Sequence, residues 1–344
     1  MCDLVEGSVT FAGPFGALRE LEYGWERFRT VRDMHLHSPR LQTFHGLDSR
    51  RDFDDPEAPA TAKLVHHYGS GAPVAERLQV EMFTHRLPIF VEPEHHTGLA
   101  TGGQPTSGGR PRVTIDVHAL KSAATDARVG SAPGRRVAVV DSGDLLGKPR
   151  MYDFTGGLAR DEAADDEVGH GTAVAELIRA INPNADITAL RVVNARSGTS
   201  YELLCAMTYA LWSGMFDIVN VSLSAQSSNQ CMTTLGGSLT MVLEICQANG
   251  VPTPMIVAAA GNTSTGQAFG YPARLPGSTV VQAWDFSGAP AAYNVTVPSS
   301  HVPINATGGD STSAFGTVTD AAGHAEPMYG TSYAAAVATA LMLP

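Results

Sequence analysis

Between residues 113 and 344, short apolar runs alternate with stretches whose apolar positions recur at helical spacing. That texture belongs to a parallel sheet covered by helices. The runs at 137–140, 187–193, 218–223 and 255–260 predict strands, and 172–181, 201–213, 241–249 and 332–343 predict helices. Strand followed by helix recurs throughout, so the expected architecture is an open α/β sheet with its sites beyond the carboxyl ends of the strands. Before residue 97 the pattern is thinner. Leu18, Leu21, Trp25 and Phe28 recur at three- and four-residue steps and predict a helix. Residues 77–83 and 87–92 read as extended, with Pro88 holding the second to an edge. The intervening TGLATGGQPTSGGRPR has no apolar periodicity and reads as a linker. The expected organisation is a small α+β domain at 1–96, a Gly/Ser/Pro linker at 97–112 and a large α/β domain at 113–344.

Composition narrows the partners. The 344 residues are 43% hydrophobic and 17% charged with 35 glycines, which suits a loop-rich α/β protein with a sizeable core. Lys and Arg number 23 against 34 Asp and Glu, a net charge of −11, so a nucleic acid is not the expected partner. The opening MCDLVEGSVTFAG lacks a basic segment followed by an apolar one, so no signal peptide is visible and a cytoplasmic location is expected. The most apolar stretch, 207–223, is interrupted by Ser213 and Asp217, so no membrane span is expected. Cys2, Cys205, Cys231 and Cys246 lack metal-type spacing and are expected as free thiols. His35, His37, His66, His67, His95 and His96 crowd the N-terminal third without an HExxH motif or a cysteine partner. Exposed or packed histidines are favoured there over zinc ligands.

Four patches carry candidate chemistry. VAVVDSG delivers Asp141 at the end of a buried strand, although an Asp there also serves as a turn cap. GHGTAVAEL places His170 between two glycines at a helix start, where a base is reachable and a packed histidine is the plainer alternative. IVAAAGN ends a strand of small residues in Asn262, an uncharged donor that can face developing negative charge or occupy a left-handed turn. GTSYAAAVATALML puts Ser332 at the start of an alanine-rich helix, where unpaired amides favour an oxyanion and a serine also serves as an N-cap. A serine needs a base, a group orienting that base, and donors for the oxyanion. The four patches supply these in the order Asp, His, Asn, Ser.

Taken together, these patches resemble the catalytic motifs and oxyanion asparagine of the subtilase family of serine peptidases. NPNADITALRVV, DIVNVSLS and FGYPARLPGSTVVQAWD resemble the family's segments between them. The resemblance covers about residues 113–344. It implies a subtilisin-like parallel sheet flanked by helices, a triad of Asp141, His170 and Ser332, and an oxyanion hole completed by Asn262. It also implies a substrate pocket walled by Ser222, Leu223, Ser224, Ala259, Ala260 and Gly261, with Gly270 at its floor. The implied activity is serine endopeptidase, of an intracellular processing or regulatory kind, acting on a protein or peptide substrate and needing no cofactor for its chemistry. The alternative is a subtilase-fold binding or scaffold protein of little or no activity. The sequence departs from the family at Glu176, where a Gly or Ser is usual, at Ala336, the place of a proline, and at Ser224, the place of a glycine. It also ends twelve residues after Ser332, so a partner chain completing the fold is one expectation. Residues 1–96 read equally as propeptide-like or as a recognition module. The acidic run Asp161, Glu162, Asp165, Asp166 and Glu167 has three readings: a solvated loop, an attractant for basic substrate residues, or a structural calcium site. Lipase chemistry fits poorly, because Ser332 lies in Gly-Thr-Ser-Tyr-Ala rather than Gly-x-Ser-x-Gly.

Overall fold

The computed structural model describes residues 8–10, 20–22, 96–99, 110–126, 130–146, 151–155, 160–162, 165–194, 198–225, 233–263, 269–320 and 323–344. The strands in chain order are β1 (Ser8–Thr10), β2 (Glu20–Glu22), β3 (His96–Leu99), β4 (Arg112–Ile115), β5 (Arg136–Asp141), β6 (Met151–Asp153), β7 (Arg160–Glu162) and β8 (Asp186–Arg191). They continue as β9 (Gly198–Thr199), β10 (Ile218–Val221), β11 (Leu223–Ala225), β12 (Met255–Ala259), β13 (Thr279–Trp284), β14 (Ile304–Thr307), β15 (Gly316–Thr319) and β16 (Ala325–Pro327). The helices are α1 (Val117–Leu120), α2 (His170–Ile181), α3 (Ser200–Trp212), α4 (Thr233–Ala248) and α5 (Thr331–Met342).

The main sheet runs β14, β13, β12, β10, β5, β8, β6, β7. Its first seven members pair in parallel, and β7 closes the edge antiparallel to β6. The strands are nearly all apolar because both faces are covered. Val137 and Val139 of β5, with Val257 and Ala259 of β12, pack in the layer that holds α2 and α5. Ala138 and Val140, with Val219 and Val221 of β10, face the layer of α3 and α4. The side-chain period of two thus divides each strand between two cores.

The alanines of α5 let it lie close against β10, β12, β13 and β14, and it also packs on α2. α3 begins with a reciprocal cap: Glu202 N–H donates to Thr199 Oγ1 at 3.2 Å, and Thr199 N–H donates to Glu202 Oε2 at 2.9 Å. At the opposite end of the sheet Arg136 donates to both oxygens of Asp217, tying the start of β5 to the turn before β10. That guanidinium holds the Asp217 carboxyl below its ordinary value.

Between residues 113 and 344 the strands and helices expected from periodicity are present with shifted ends. β10 stops at Val221, and the chain resumes as β11 in a different sheet, so the run 218–223 is two elements. α4 begins at Thr233, eight residues before the expected start, because two adjacent glycines obscured its first turns. β6, β7 and β13 to β16 are short strands that periodicity did not mark.

The stretch expected as linker contributes strand at both ends. β3 lies between β11 and β9 in an antiparallel three-stranded sheet, and β4 pairs with β15. Leu21, expected on a helix, lies in β2, which pairs antiparallel with β1. Leu18, Trp25, Phe28 and residues 77–92 lie outside the described residues, as do Cys2 and Cys231. Among the described residues no helix is long and apolar enough to cross a membrane.

Candidate active site

β5 ends on Asp141, and α2 begins on His170. Asp141 is fully buried; its Oδ1 accepts the Ser142 N–H at 2.8 Å and lies 2.7 Å from His170 Nδ1. A carboxylate at Nδ1 places the ring proton there and leaves Nε2 as the basic nitrogen. Nε2 is itself buried and has no hydrogen-bond partner among the described residues.

Two glycines make this approach feasible. Gly143 sits at φ +127°, where an added Cβ would stand 2.0 Å from the Asp165 carbonyl oxygen. A Cβ on Gly171 would stand 2.3 Å from the Gly143 carbonyl oxygen. The turn after β5 and the first turn of α2 therefore meet backbone to backbone. Asp166 secures the same turn: its Oδ1 accepts from Val168 and Gly169 N–H, and its Oδ2 from the amide and hydroxyl of Thr172. It caps a helix whose N-cap, Gly169, has no side chain to do so. Burial pushes the Asp166 pKa up, and the donated hydrogen bonds oppose that shift. Tyr333 packs with its ring centroid 5.6 Å from that of His170; burial first, then Asp141 and Asp166, raise its phenol pKa.

Ser332 lies in the first turn of α5, whose amides point out of the helix N-terminus. Its Oγ donates to the Ser222 carbonyl at 3.0 Å, so the hydroxyl rests on β10's continuation rather than on the histidine. The Asn262 carboxamide is anchored through Oδ1, which accepts from Thr331 N–H at 3.1 Å and Thr331 Oγ1 at 3.0 Å. Thr331 Oγ1 in turn accepts from Gly261 N–H at 3.1 Å. This fixes the amide plane and turns Nδ2 away from Thr331.

The expected pocket residues lie along the same strand ends. Ser222, Leu223, Ser224, Ala259, Ala260, Gly261 and Gly270 are all buried. Ser222 donates its hydroxyl to Asn220 Oδ1 at 3.0 Å and to the Ser332 carbonyl at 3.1 Å. β3 runs antiparallel to β11 with Leu99 opposite Leu223, Gly98 opposite Ser224 and Thr97 opposite Ala225.

Of the acidic run, Asp165 and Glu167 reach Arg191 at 3.1 and 3.6 Å, and Asp166 is committed to the α2 cap. Asp161 and Glu162 are in β7. Among the described residues no cluster of three His, Cys, Asp or Glu side chains is arranged to hold a metal ion. Glu176 is accommodated by accepting from Arg179 at 2.8 Å, and Arg179 also pairs with the buried Asp144. α5 runs unbroken through Ala336. Cys205 and Cys246 are buried and not disulfide-bonded, and burial pushes the Cys246 thiol up to about 12.

The sequence model of the Subtilase family matches residues 133–343. The chain belongs to the subtilase family. The thermostable alkaline protease of Halalkalibacterium halodurans is 32% identical over 188 residues, 51% of this chain and 48% of that protein. Subtilisin E of Bacillus subtilis is 25% identical over 199 residues, 53% and 49%. This subtilase thus spans about half the length of the curated relatives it matches. Among solved structures, the epidermin leader peptide processing serine protease of Staphylococcus aureus aligns with a TM-score of 0.49 at 17% identity, covering 62% of this chain and 65% of that one. A cold adapted subtilisin-like serine proteinase aligns at 0.45 and 20%, covering 63% and 77%. The motifs singled out Asp141, His170, Ser332 and Asn262 in this subtilase, but not Thr331, Asp166 or Tyr333. Asp166 in particular was hidden in an acidic run that looks like solvated surface.

Because Gly171 meets Gly143 main chain, Gly171→Ala should lower the free energy of unfolding by about 1–3 kcal/mol, read from urea denaturation. Gly130→Ala, which meets nothing within 4 Å, should change it by less than about 0.5 kcal/mol.

Proposed function

We propose that this subtilase is a serine endopeptidase working through Asp141, His170, Ser332 and Asn262. The observation that carries the reading is the 2.7 Å contact between Asp141 and His170 Nδ1, which leaves Nε2 basic and buried, with the His170 ring packed against Tyr333, the residue after Ser332. In the reaction, rotation about the Ser332 side chain exchanges the Ser222 carbonyl for His170 Nε2. Nε2 takes the hydroxyl proton as Oγ attacks the scissile carbonyl, and Asp141 stabilises the imidazolium. The Asn262 amide, held by Thr331, donates to the oxyanion together with the Ser332 N–H. The imidazolium then protonates the leaving amine, and water activated by the same histidine releases the acyl group from Ser332. Relatives named as proteases support the same reading. Removing the donor with Asn262→Leu should lower kcat about 10²–10³-fold with little change in KM, the range that the corresponding donor in subtilisin sets.

A substrate reading accompanies this one, because β3 supplies an extended peptide already paired with β11. Leu99 stands opposite Leu223, one residue short of Ser222, whose carbonyl holds the Ser332 hydroxyl. The chain's own segment after Leu99 is therefore the first substrate we assign, and it gives residues 1–96 a propeptide-like role. The Ser332–Ser222 hydrogen bond is the observation that favours the rival, a silent scaffold.

One experiment separates them. Purified full chain and Ser332→Ala are treated with a fluorophosphonate probe, incubated with casein, and sequenced from their N-termini over time. The enzyme reading predicts labelling, casein cleavage and a new N-terminus within a few residues after Leu99, all lost in Ser332→Ala. Absence of all three in the wild type would support the scaffold.

A further inference from the structure

We propose that Asn220 is a positioning residue for the nucleophile, acting through Ser222 at one end of α5 and Thr339 further along it. β10 lies in the middle of the main sheet between β5 and β12, with Val139 and Val257 as the register partners of Asn220. Its residues Val219 and Val221 face the α3 and α4 layer, and Ile218 faces the layer of α2 and α5. Asn220 falls in that second row and is fully buried. A carboxamide in such a place is costly unless its polar atoms are engaged.

They are engaged in a specific pattern. Asn220 Nδ2 donates to Thr339 Oγ1 at 2.9 Å, and Asn220 Oδ1 accepts from Ser222 Oγ at 3.0 Å. The Ser222 hydroxyl proton is shared with the Ser332 carbonyl at 3.1 Å, while the Ser222 carbonyl accepts from Ser332 Oγ at 3.0 Å. Ser222 thus grips Ser332 at two atoms, and Asn220 orients the hydroxyl that makes one of those contacts. Thr339 lies seven residues after Ser332, about two helical turns.

The consequence is a closed polar loop joining β10 to α5 at two heights. Apolar packing alone resists separation of a helix from a sheet but resists sliding and rotation weakly, because small alanines offer little relief. Two hydrogen-bonded anchors about two turns apart fix both motions, and with them the placement of Ser332 Oγ against His170 and Asn262. Misplacement of a reacting atom by an ångström costs turnover rather than binding.

This inference rests on Ser332 being the nucleophile. Its test is turnover of a chromogenic peptide anilide by the full chain, normalised to sites titrated with the fluorophosphonate probe. Thr339→Val, nearly isosteric and remote from the strand ends that hold the triad, should lower kcat per titrated site about tenfold with KM within about twofold. Thr339→Ser, which keeps the hydroxyl, should restore most of it. Asn220→Ala should lower kcat about 10²-fold, and the Asn220→Ala, Thr339→Val double variant should fall no further, since both act in one loop. If Asn220→Ala does not fold, Thr339→Val with its serine counterpart decides the matter alone. The proposal is overturned if kcat per titrated site stays within about twofold of wild type in Thr339→Val while only thermal stability drops, or if the two losses multiply. A wild type that turns over nothing removes the nucleophile reading and this one together, whereas an active wild type with unaffected variants removes this one alone.

Discussion

The hydrogen bond between Asp141 and His170 sets the terms for everything around it. An acid at the end of a central strand and a base at the start of a helix nearly thirty residues later must meet at 2.7 Å inside the protein. Neither side chain is long, so their backbones must come close, and that requirement explains Gly143 and Gly171, whose added Cβ atoms would strike main chain. It also explains why a fully buried carboxylate, Asp166, is tolerated beside Asp141. The turn leading into α2 has a glycine at its N-cap, and Asp166 supplies the missing acceptor from four residues upstream of the histidine. Burial remains the larger effect on its pKa, and the donated hydrogen bonds and the positive end of α2 oppose it only in part.

The other half of the site follows a different principle. Ser332 and Asn262 are held less by close glycine packing than by a buried polar scaffold in an otherwise apolar layer. Thr331 fixes Asn262, Ser222 fixes Ser332, and Asn220 with Thr339 ties the strand to the helix. Buried polar groups of this kind add specificity of placement only when they are satisfied, and here they form two hydrogen-bonded groups that meet at the Thr331–Ser332 peptide. α5 can come close enough to make those contacts because its facing residues are alanines. Helix composition, sheet spacing and the placement of Ser332 are thus consequences of one another.

Much of this was legible in the sequence, for identifiable reasons. Uninterrupted apolar runs such as 137–140 and 256–260 mark strands covered on both faces, and functional residues at their carboxyl ends follow from the architecture. His170 and Ser332 were visible because each stands at a helix start, His170 between two glycines and Ser332 two residues after Gly330. What escaped is equally physical. Strands of three or four residues, such as β6 and β15, are too short to show a period. β3 was invisible because its partners, Leu223–Ala225 and Gly198–Thr199, are distant in sequence, and HTGL has no pattern of its own. Asp166 resembled solvated surface, and Asn220 passed as one more residue of the strand 218–223, because a sequence does not display which donors will surround a polar side chain.

The most direct test of the account is the His170 Nδ1 proton observed by nuclear magnetic resonance in the folded full chain, assigned by its loss in His170→Ala. A short hydrogen bond to a buried carboxylate predicts a strongly low-field resonance that survives Ser332→Ala and disappears from that region in Asp141→Asn. A spectrum without that resonance, or one that Asp141→Asn leaves unchanged, would mean that the aspartate does not hold the histidine. The arrangement of β5, α2 and the nucleophile would then need another explanation.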